Sequence, residues 1–284
     1  MAITFKKINH IYSPDMPYAF HALKDIDLEI EEKKVTAIIG HTGSGKSTLV
    51  QHLNALLLPS SGELEVAGFT VTADKKPKNL KNLRQKVGLV FQFSEYQLFE
   101  ETILKDVAFG PKNFGISEEE AVKRARAALK VVGLDASYEE RSPLDLSGGQ
   151  KRRVAIAGIL AMDPEIIVLD EPTAGLDPHG SREMIKLFSA LNKEQGKTII
   201  LICHDNEIVY RYADNTVIMD HGEVTYSGPT KELFEDEELV EKHKLVLPQL
   251  LELKSQLQKK GFSLKKHYDD LEALIKDAAK EVKR

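Results

Sequence analysis

The segment Gly40-His41-Thr42-Gly43-Ser44-Gly45-Lys46-Ser47-Thr48 carries the spacing G-x-x-x-x-G-K-[ST], a pattern that holds phosphate. Its glycines let backbone N–H groups converge on phosphate oxygens, and a helix starting near Lys46 would add the partial positive charge of its N-terminus. The Lys46 ammonium would reach the terminal phosphates, and the Ser47 hydroxyl would sit on Mg2+. His41 fills a variable position and reads as a loop residue. Further along, Ile166-Ile167-Val168-Leu169-Asp170-Glu171 is an apolar run ending in two carboxylates. At the C-terminal end of a buried parallel strand, where such sheets bind ligands, Asp170 would hold the same ion through water. Glu171 would polarise the water that attacks the last phosphate. The phosphate-loop pattern is compact and specific, and the strand ending in Asp-Glu, weak alone, becomes strong beside it; together they point to a nucleoside triphosphate with Mg2+ and to its hydrolysis.

The elements that must position these groups are legible around them. The run 35–39 is continuously apolar and ends in Gly40, as expected of a strand buried on both faces. Residues 46–57 follow with Leu49, Leu53 and Leu56 at helical spacing. Strand, glycine-rich turn and helix in that order make one βα unit of a parallel sheet. The strand pattern recurs at 87–91, 166–169 and 198–203, and shorter strands are expected at 3–8 and 28–30, on either side of a Pro-containing loop. Residues 118–132 read as a helix with Ser117 as N-cap, Glu120 completing a capping box and Gly133 at the C-terminal position. After Gly228-Pro229 the composition turns charged and Leu-rich. There Leu264, Tyr268, Leu271, Ile275, Ala278 and Val282 form one stripe of an amphipathic helix. The expected organisation is a main domain over 1–228, with a helical subdomain at about 93–163, and a helical extension over 229–284.

Composition narrows the classes. The 284 residues carry 39 basic and 44 acidic side chains, a net charge of −5, which argues against a dedicated nucleic-acid binder. The single cysteine, Cys203, excludes an internal disulfide and suits a reducing compartment. No apolar run approaches the ~18–20 residues that span a bilayer, and the first residues lack the order of a secretory signal. A cytoplasmic protein is expected, with any membrane role borrowed from a partner.

The segment Leu146-Ser147-Gly148-Gly149-Gln150, between the phosphate loop and the Asp170-Glu171 strand and followed by Lys151-Arg152-Arg153, resembles the signature motif of the ATP-binding cassette family. The resemblance covers about residues 3–228. It implies an α/β fold of the P-loop NTPase class: a mixed sheet with an antiparallel β subdomain and a helical subdomain, here with a small α-helical C-terminal extension. It also implies roles for further residues. Tyr12 resembles the aromatic that stacks on adenine, with loop packing as the alternative. Gln92 resembles the glutamine that contacts Mg2+ and water and senses the membrane partner. Asp177, in Ala174-Gly175-Leu176-Asp177, would face a second cassette, and His204 would contact the γ-phosphate. Two cassettes would pair head to tail, so that Ser147, Gly148, Gly149 and Gln150 serve the partner's ATP.

A finer resemblance, carried by 90–102, by Asp106-Val107-Ala108-Phe109-Gly110-Pro111, by His41-Thr42-Gly43 and by 155–162, is to the ATPases of energy-coupling factor transporters, and to the second of their two types. It implies three partners: a homologous ATPase in a heterodimer, a membrane coupling protein and a substrate-binding membrane subunit. The chain would then sit peripherally at the cytoplasmic face of the cell membrane, driving uptake of vitamins or metal ions, with no nucleic acid involved. Glu95, Glu100 and Glu101 would receive arginines of the coupling protein or else be solvated carboxylates. The terminal helix would meet its counterpart in the ATPase dimer or fold back on its own cassette. The alternatives are a homodimeric cobalt or nickel importer ATPase, and a cassette ATPase acting on nucleic acid or the ribosome.

Overall fold

The structure is a computed structural model that describes residues 3–74, 77–265, 268 and 270–282. Two sheets lie at its centre. Strands β1 (Ile3–Tyr12), β2 (Phe20–Ile30), β4 (Ser61–Val66) and β5 (Phe69–Thr72) form an antiparallel sheet in the order β2-β1-β4-β5. Strands β3 (Val35–Ile39), β6 (Val87–Val90), β7 (Ile166–Asp170), β8 (Thr198–Ile202), β9 (Asn215–Asp220) and β10 (Glu223–Pro229) form the second, in the order β10-β9-β3-β8-β7-β6. All its pairings are parallel except that of β10, which returns antiparallel on β9. Strands β3, β7 and β8 are buried at every position, which is why each reads as an unbroken apolar run.

The helices are α1 (Lys46–His52), α2 (Leu80–Lys86), α3 (Ile103–Asn113), α4 (Glu118–Val131), α5 (Gly148–Leu160), α6 (Pro178–Gln195), α7 (Asn206–Tyr212), α8 (Thr230–Glu235), α9 (Glu237–Lys242), α10 (Gln249–Lys259) and α11 (Leu271–Val282). Helices α3, α4 and α5 pack on one another. The core lies on both faces of the parallel sheet. Ile38, Val168, Ile200 and Val217 face the antiparallel sheet together with Leu49, Leu53 and Leu83; Ala37, Ile167, Leu169 and Leu201 face helices other than α1 and α2.

Several elements differ from their sequence-based bounds for local reasons. Strand β1 runs on to Tyr12 because register shifts between Phe5 and Ile8 and between Ile8 and His10, with Lys7 at φ 47°, reset its alternation midway. Gly62 lies against that bulge, where a Cβ would meet the Lys7 carbonyl oxygen at 2.2 Å. Helix α1 stops at His52 instead of continuing to 57. Asn54 Oδ1 accepts from Leu56 N, and Ala55 turns left-handed at φ 50°, so the chain bends while Leu53 stays fully buried. Ser117 caps α4 by accepting from Glu120 N, but the Glu120 carboxylate turns to Arg124 and Lys123 instead of returning to the cap.

The terminal helix α11 folds onto its own chain. Leu274 is completely buried, and Tyr268 and Ala278 nearly so. Leu274 and Tyr268 share a core cluster with Val209, Tyr210, Leu233, Phe234, Leu250 and Leu251. The Tyr268 hydroxyl donates to Asp277 Oδ2 and accepts from Lys265 N, fixing the approach to the helix. Ile275, which the sequence places on the same stripe, lies at the edge of the covered face and stays 54 % exposed. The side chain of Val282, read as part of the same stripe, lies outside the described ones. Among the described residues no helix is long and apolar enough to cross a membrane.

Candidate functional site

The phosphate loop joins β3 to α1. Gly40 (φ 148°) passes so close to β9 that a Cβ there would lie 2.2 Å from the Met219 carbonyl oxygen, and at Gly45 (φ 102°) one would lie 2.6 Å from the Ala22 carbonyl oxygen. No other residue fits either position without moving the backbone. Lys46 Nζ donates to the carbonyls of Gly40 and His41, each at 2.8 Å, so the ammonium lies over the loop. Burial lowers its pKa below the usual lysine range, while Glu171 and Asp170 pull the other way.

Strand β7 delivers the two carboxylates. Asp170 is its last residue, buried, with Ser47 hydrogen-bonded to its side chain; burial raises its pKa against the opposing effects of Ser47 and Lys46. Glu171 follows at φ 50°, a left-handed conformation that costs a non-glycine residue on the order of 1–2 kcal/mol. The bend turns its carboxylate between two other strand ends. Gln92 Nε2, after β6, donates to Glu171 Oε2 at 2.8 Å, and His204 Nε2, after β8, lies 2.9 Å from Oε1. The parallel order β8-β7-β6 brings these three residues together, because each stands just past the carboxyl end of its strand.

Ser47 and Asp170, with Gln92 nearby, offer oxygen donors, the set a hard cation such as Mg2+ prefers. A buried carboxylate at Asp170 would gain from such a charge, and the buried Ser44 hydroxyl, without a hydrogen-bond partner, lies within the loop. The residues present therefore fit both the ion and a phosphate.

Tyr12, at the end of β1, reaches α1: its hydroxyl lies 3.2 Å from Thr48 Oγ1 and its ring sits edge-on to His10 at 4.5 Å. It is 39 % exposed, leaving ring surface free beside the loop. Beneath it, His10 and His52 form a buried pair, with His52 Nδ1 on the Thr48 carbonyl at 2.7 Å. Sequence reading passed over this pair, since a histidine at a strand or helix position carries no signal of its own.

The signature segment and Asp177 stand at two helix starts. Ser147 Oγ accepts from Gln150 N, and Gln150 Oε1 accepts from Ser147 N, a reciprocal capping box at the start of α5. Gly148 is exposed, and a Cβ at Gly149 would find only the Leu176 side chain, at 3.7 Å. Asp177 caps α6, accepting from Gly180 N at 2.7 Å, and these backbone bonds hold its pKa below the ordinary carboxylate value. Among the described residues no hydrogen bond joins either segment to this chain's own phosphate loop.

Arg152 is a tie that the sequence did not announce. It is 4 % exposed on α5 and pairs with Glu95 through Nε and Nη2, at 3.2 and 3.0 Å. The same guanidinium donates to the carbonyls of Gln92, Pro172 and Ala174, spanning the loops that carry Gln92 and Glu171. Glu95 is therefore engaged within the chain. Glu101 bonds Lys105 on the surface. Around Glu100, Phe93, Tyr96, Phe99 and Phe109 are exposed.

Comparison with known proteins agrees with this geometry. A family model described as ABC transporter matches residues 23–174. The energy-coupling factor transporter ATP-binding protein EcfA2 of Latilactobacillus sakei is 51 % identical over 280 residues, 98 % of this chain and 96 % of that one. The protein of the same name from Lactococcus lactis is 52 % identical over 259 residues, 91 % and 90 % of the two chains. Among solved structures, cbiO1 from Clostridium perfringens, part of the ABC transporter complex cbiONQ, superposes with a TM-score of 0.74 at 41 % identity over 90 % of this chain and 98 % of its own. The ATP-binding cassette MJ0796, in a dimeric post-hydrolysis state bound to ADP and Pi, superposes with a TM-score of 0.72 at 33 % identity, over 80 % and 98 %. With half its residues identical to theirs over almost its whole length, the chain belongs to the energy-coupling factor transporter ATP-binding proteins, within the ABC transporter family.

Proposed function

We propose that this chain is the ATP-hydrolysing subunit of an energy-coupling factor importer and works at the cytoplasmic face of the membrane, in a heterodimer with a second, homologous ATPase. The membrane coupling protein and the substrate-binding membrane subunit would be separate chains. The observation that carries the reading is the Glu171 carboxylate, held by Gln92 and His204 at the end of β7 beside Lys46 and Asp170. Gly40, His41, Thr42, Gly43, Ser44, Gly45, Lys46, Ser47 and Thr48 would bind the phosphates of ATP, and Tyr12 would stack on its base. Ser47, Asp170 and Gln92 would hold Mg2+, which when bound neutralises charge on the phosphate oxygens. Glu171 would accept a hydrogen bond from the attacking water and draw its proton, with Gln92 and His204 fixing the carboxylate's orientation. His204 would also face the γ-phosphate.

Among the described residues the capped starts of α5 and α6 make no hydrogen bond to their own phosphate loop, which leaves them to serve a partner's nucleotide: Ser147, Gly148, Gly149 and Gln150 on its phosphates, Asp177 across the interface. The exposed aromatics Phe93, Tyr96, Phe99 and Phe109 next to the Gln92 loop are where helices of the coupling protein would dock, with Glu100 and Glu101 on the rim. The main domain would end near Gly228, and α11 would keep its exposed Ile275 face for the second ATPase.

The test is Mg2+-dependent ATP hydrolysis by the chain co-expressed with its genomic neighbours, wild type against Glu171→Gln. A fall in kcat of about a hundredfold or more with nucleotide binding retained is expected. Equal hydrolysis by both proteins would remove Glu171 from the mechanism.

A further inference from the structure

The tip of the β9–β10 hairpin meets the phosphate loop at a cluster of side chains, that of His41 from the loop and those of Asp220 and His221 from the hairpin. Asp220 ends β9, and His221 and Gly222 form the turn, both with positive φ (47° and 85°), the left-handed pair that a two-residue hairpin favours. Gly222 N donates to the Ser44 carbonyl at 3.1 Å, so the turn is fastened to the loop. Docked this way, His41, Asp220 and His221 each bring one ligand atom within 4.8 Å of the other two. His41 Nε2 lies 2.9 Å from Asp220 Oδ1, His221 Nε2 lies 3.8 Å from the same oxygen, and the two imidazole centroids are 4.9 Å apart. His41 Nδ1 donates to the Thr42 carbonyl at 2.7 Å. That bond turns Nε2 toward Asp220 Oδ1, where an ion would take the place of the proton between the two atoms, and a backbone carbonyl fixes metal-bound imidazoles in the same manner. The cluster opens on a cavity of about 650 Å3 that is also lined by His243, whose buried Nε2 makes no hydrogen bond.

We propose that His41, Asp220 and His221 form a binding site for a zinc-class divalent cation, with a fourth position open to the cavity. Two imidazoles and a carboxylate match Zn2+, Co2+ and Ni2+, whereas Mg2+ prefers oxygen donors alone. A tetrahedral ion with bonds of about 2.0–2.1 Å holds its donors about 3.3 Å apart. The side chains reach that spacing by rotating, since all three are exposed. An ion there would bind the phosphate loop to the hairpin through side chains, in addition to the Gly222–Ser44 hydrogen bond. It would be separate from the Mg2+ set of Ser47, Asp170 and Gln92.

The test titrates the full chain, stripped with EDTA, with Co2+ and then Zn2+ in the absence of nucleotide, so the outcome does not depend on ATP hydrolysis. One equivalent of Co2+ should give the visible d–d bands of a four-coordinate site; Zn2+ should displace it and excess Mg2+ should not. Asp220→Asn and His221→Asn should each weaken binding about tenfold or more. Asparagine keeps the left-handed turn, so the second variant folds. His179→Asn, at an exposed histidine on α6, should leave the titration unchanged. An unchanged titration in His221→Asn, an equal loss in His179→Asn, or no Co2+ bands in the wild type would each overturn the proposal.

Discussion

Arg152→Met removes a charge from a place where little else can supply one. The guanidinium is 5 % exposed and its partner Glu95 16 %, so the methionine would leave a mostly buried carboxylate unpaired and the Gln92, Pro172 and Ala174 carbonyls short of a donor. Breaking a buried pair from one side costs about 3–5 kcal/mol. Water can still reach part of Glu95, so the lower end, about 3 kcal/mol, is expected. Methionine fills much of the arginine stem's volume, which keeps the loss electrostatic instead of a cavity effect. For a chain of this length the loss corresponds to a fall in Tm of roughly 6–12 °C. The assay is urea unfolding followed by far-UV circular dichroism, on wild type, Arg152→Met, Glu95→Gln and the double variant. The double variant should lose less than the sum of the singles by about 1.5–3 kcal/mol, because each single strands the other partner. Additive losses, or a single variant within about 0.5 kcal/mol of wild type, would refute the claim that this ion pair holds the two loops together.

Two further outcomes follow from buried groups. Burial pushes His52 down to about 4 from its ordinary 6.5, so below pH 6.5 the unfolded chain takes up a proton that the folded chain refuses. Stability present above pH 6.5 is then lost as the pH falls toward 4, by about 3 kcal/mol in all; urea midpoints between pH 7.5 and 4.5 should show this slope flattened in His52→Gln, and parallel slopes would refute it. On α11, Leu274→Ala should cost about 2–4 kcal/mol of stability because the side chain is fully buried, whereas Ile275→Ala should stay within about 0.5 kcal/mol. Equal losses in the isolated chain would mean that the helix is packed the other way round.

The parallel sheet was readable because burial on both faces leaves no room for polar residues: Val35–Ile39 and Ile166–Asp170 are spelled almost wholly in aliphatics. The phosphate loop was readable because its glycines answer to backbone approaches that no other residue survives. Strand β1 was cut short because its bulges at Lys7 and between Ile8 and His10 break the two-residue period that betrays a strand. Helix α1 was drawn too long for the opposite reason: Leu53 and Leu56 keep helical spacing through a turn built by Asn54 and Ala55. Spacing records which residues face the core, and a turn can preserve that without preserving the helix. The role of Arg152 was hidden because it depends on two loops distant in sequence meeting at one helix. Nothing in Lys151-Arg152-Arg153 tells which arginine points inward. Likewise, the stripe on α11 announced an apolar face but not its cover, since the surface beneath it is assembled from α7, α8 and α10.

Strand β3 bears on how the chain comes into being. It lies between β8 and β9, and its first residue is held by Asp214, 179 positions further along. The ribosome releases Val35 early, yet both of its lateral neighbours are still untranslated. At about 5–20 residues per second, the wait is roughly ten to forty seconds. During that interval β1 and β2 can pair, but the loop at Gly40 has no Met219 backbone to lean on. A nascent chain therefore holds a strand that is buried at every position in the fold without neighbours, and its nucleotide loop without a mould. The nucleotide loop gains its mould only when β9 arrives.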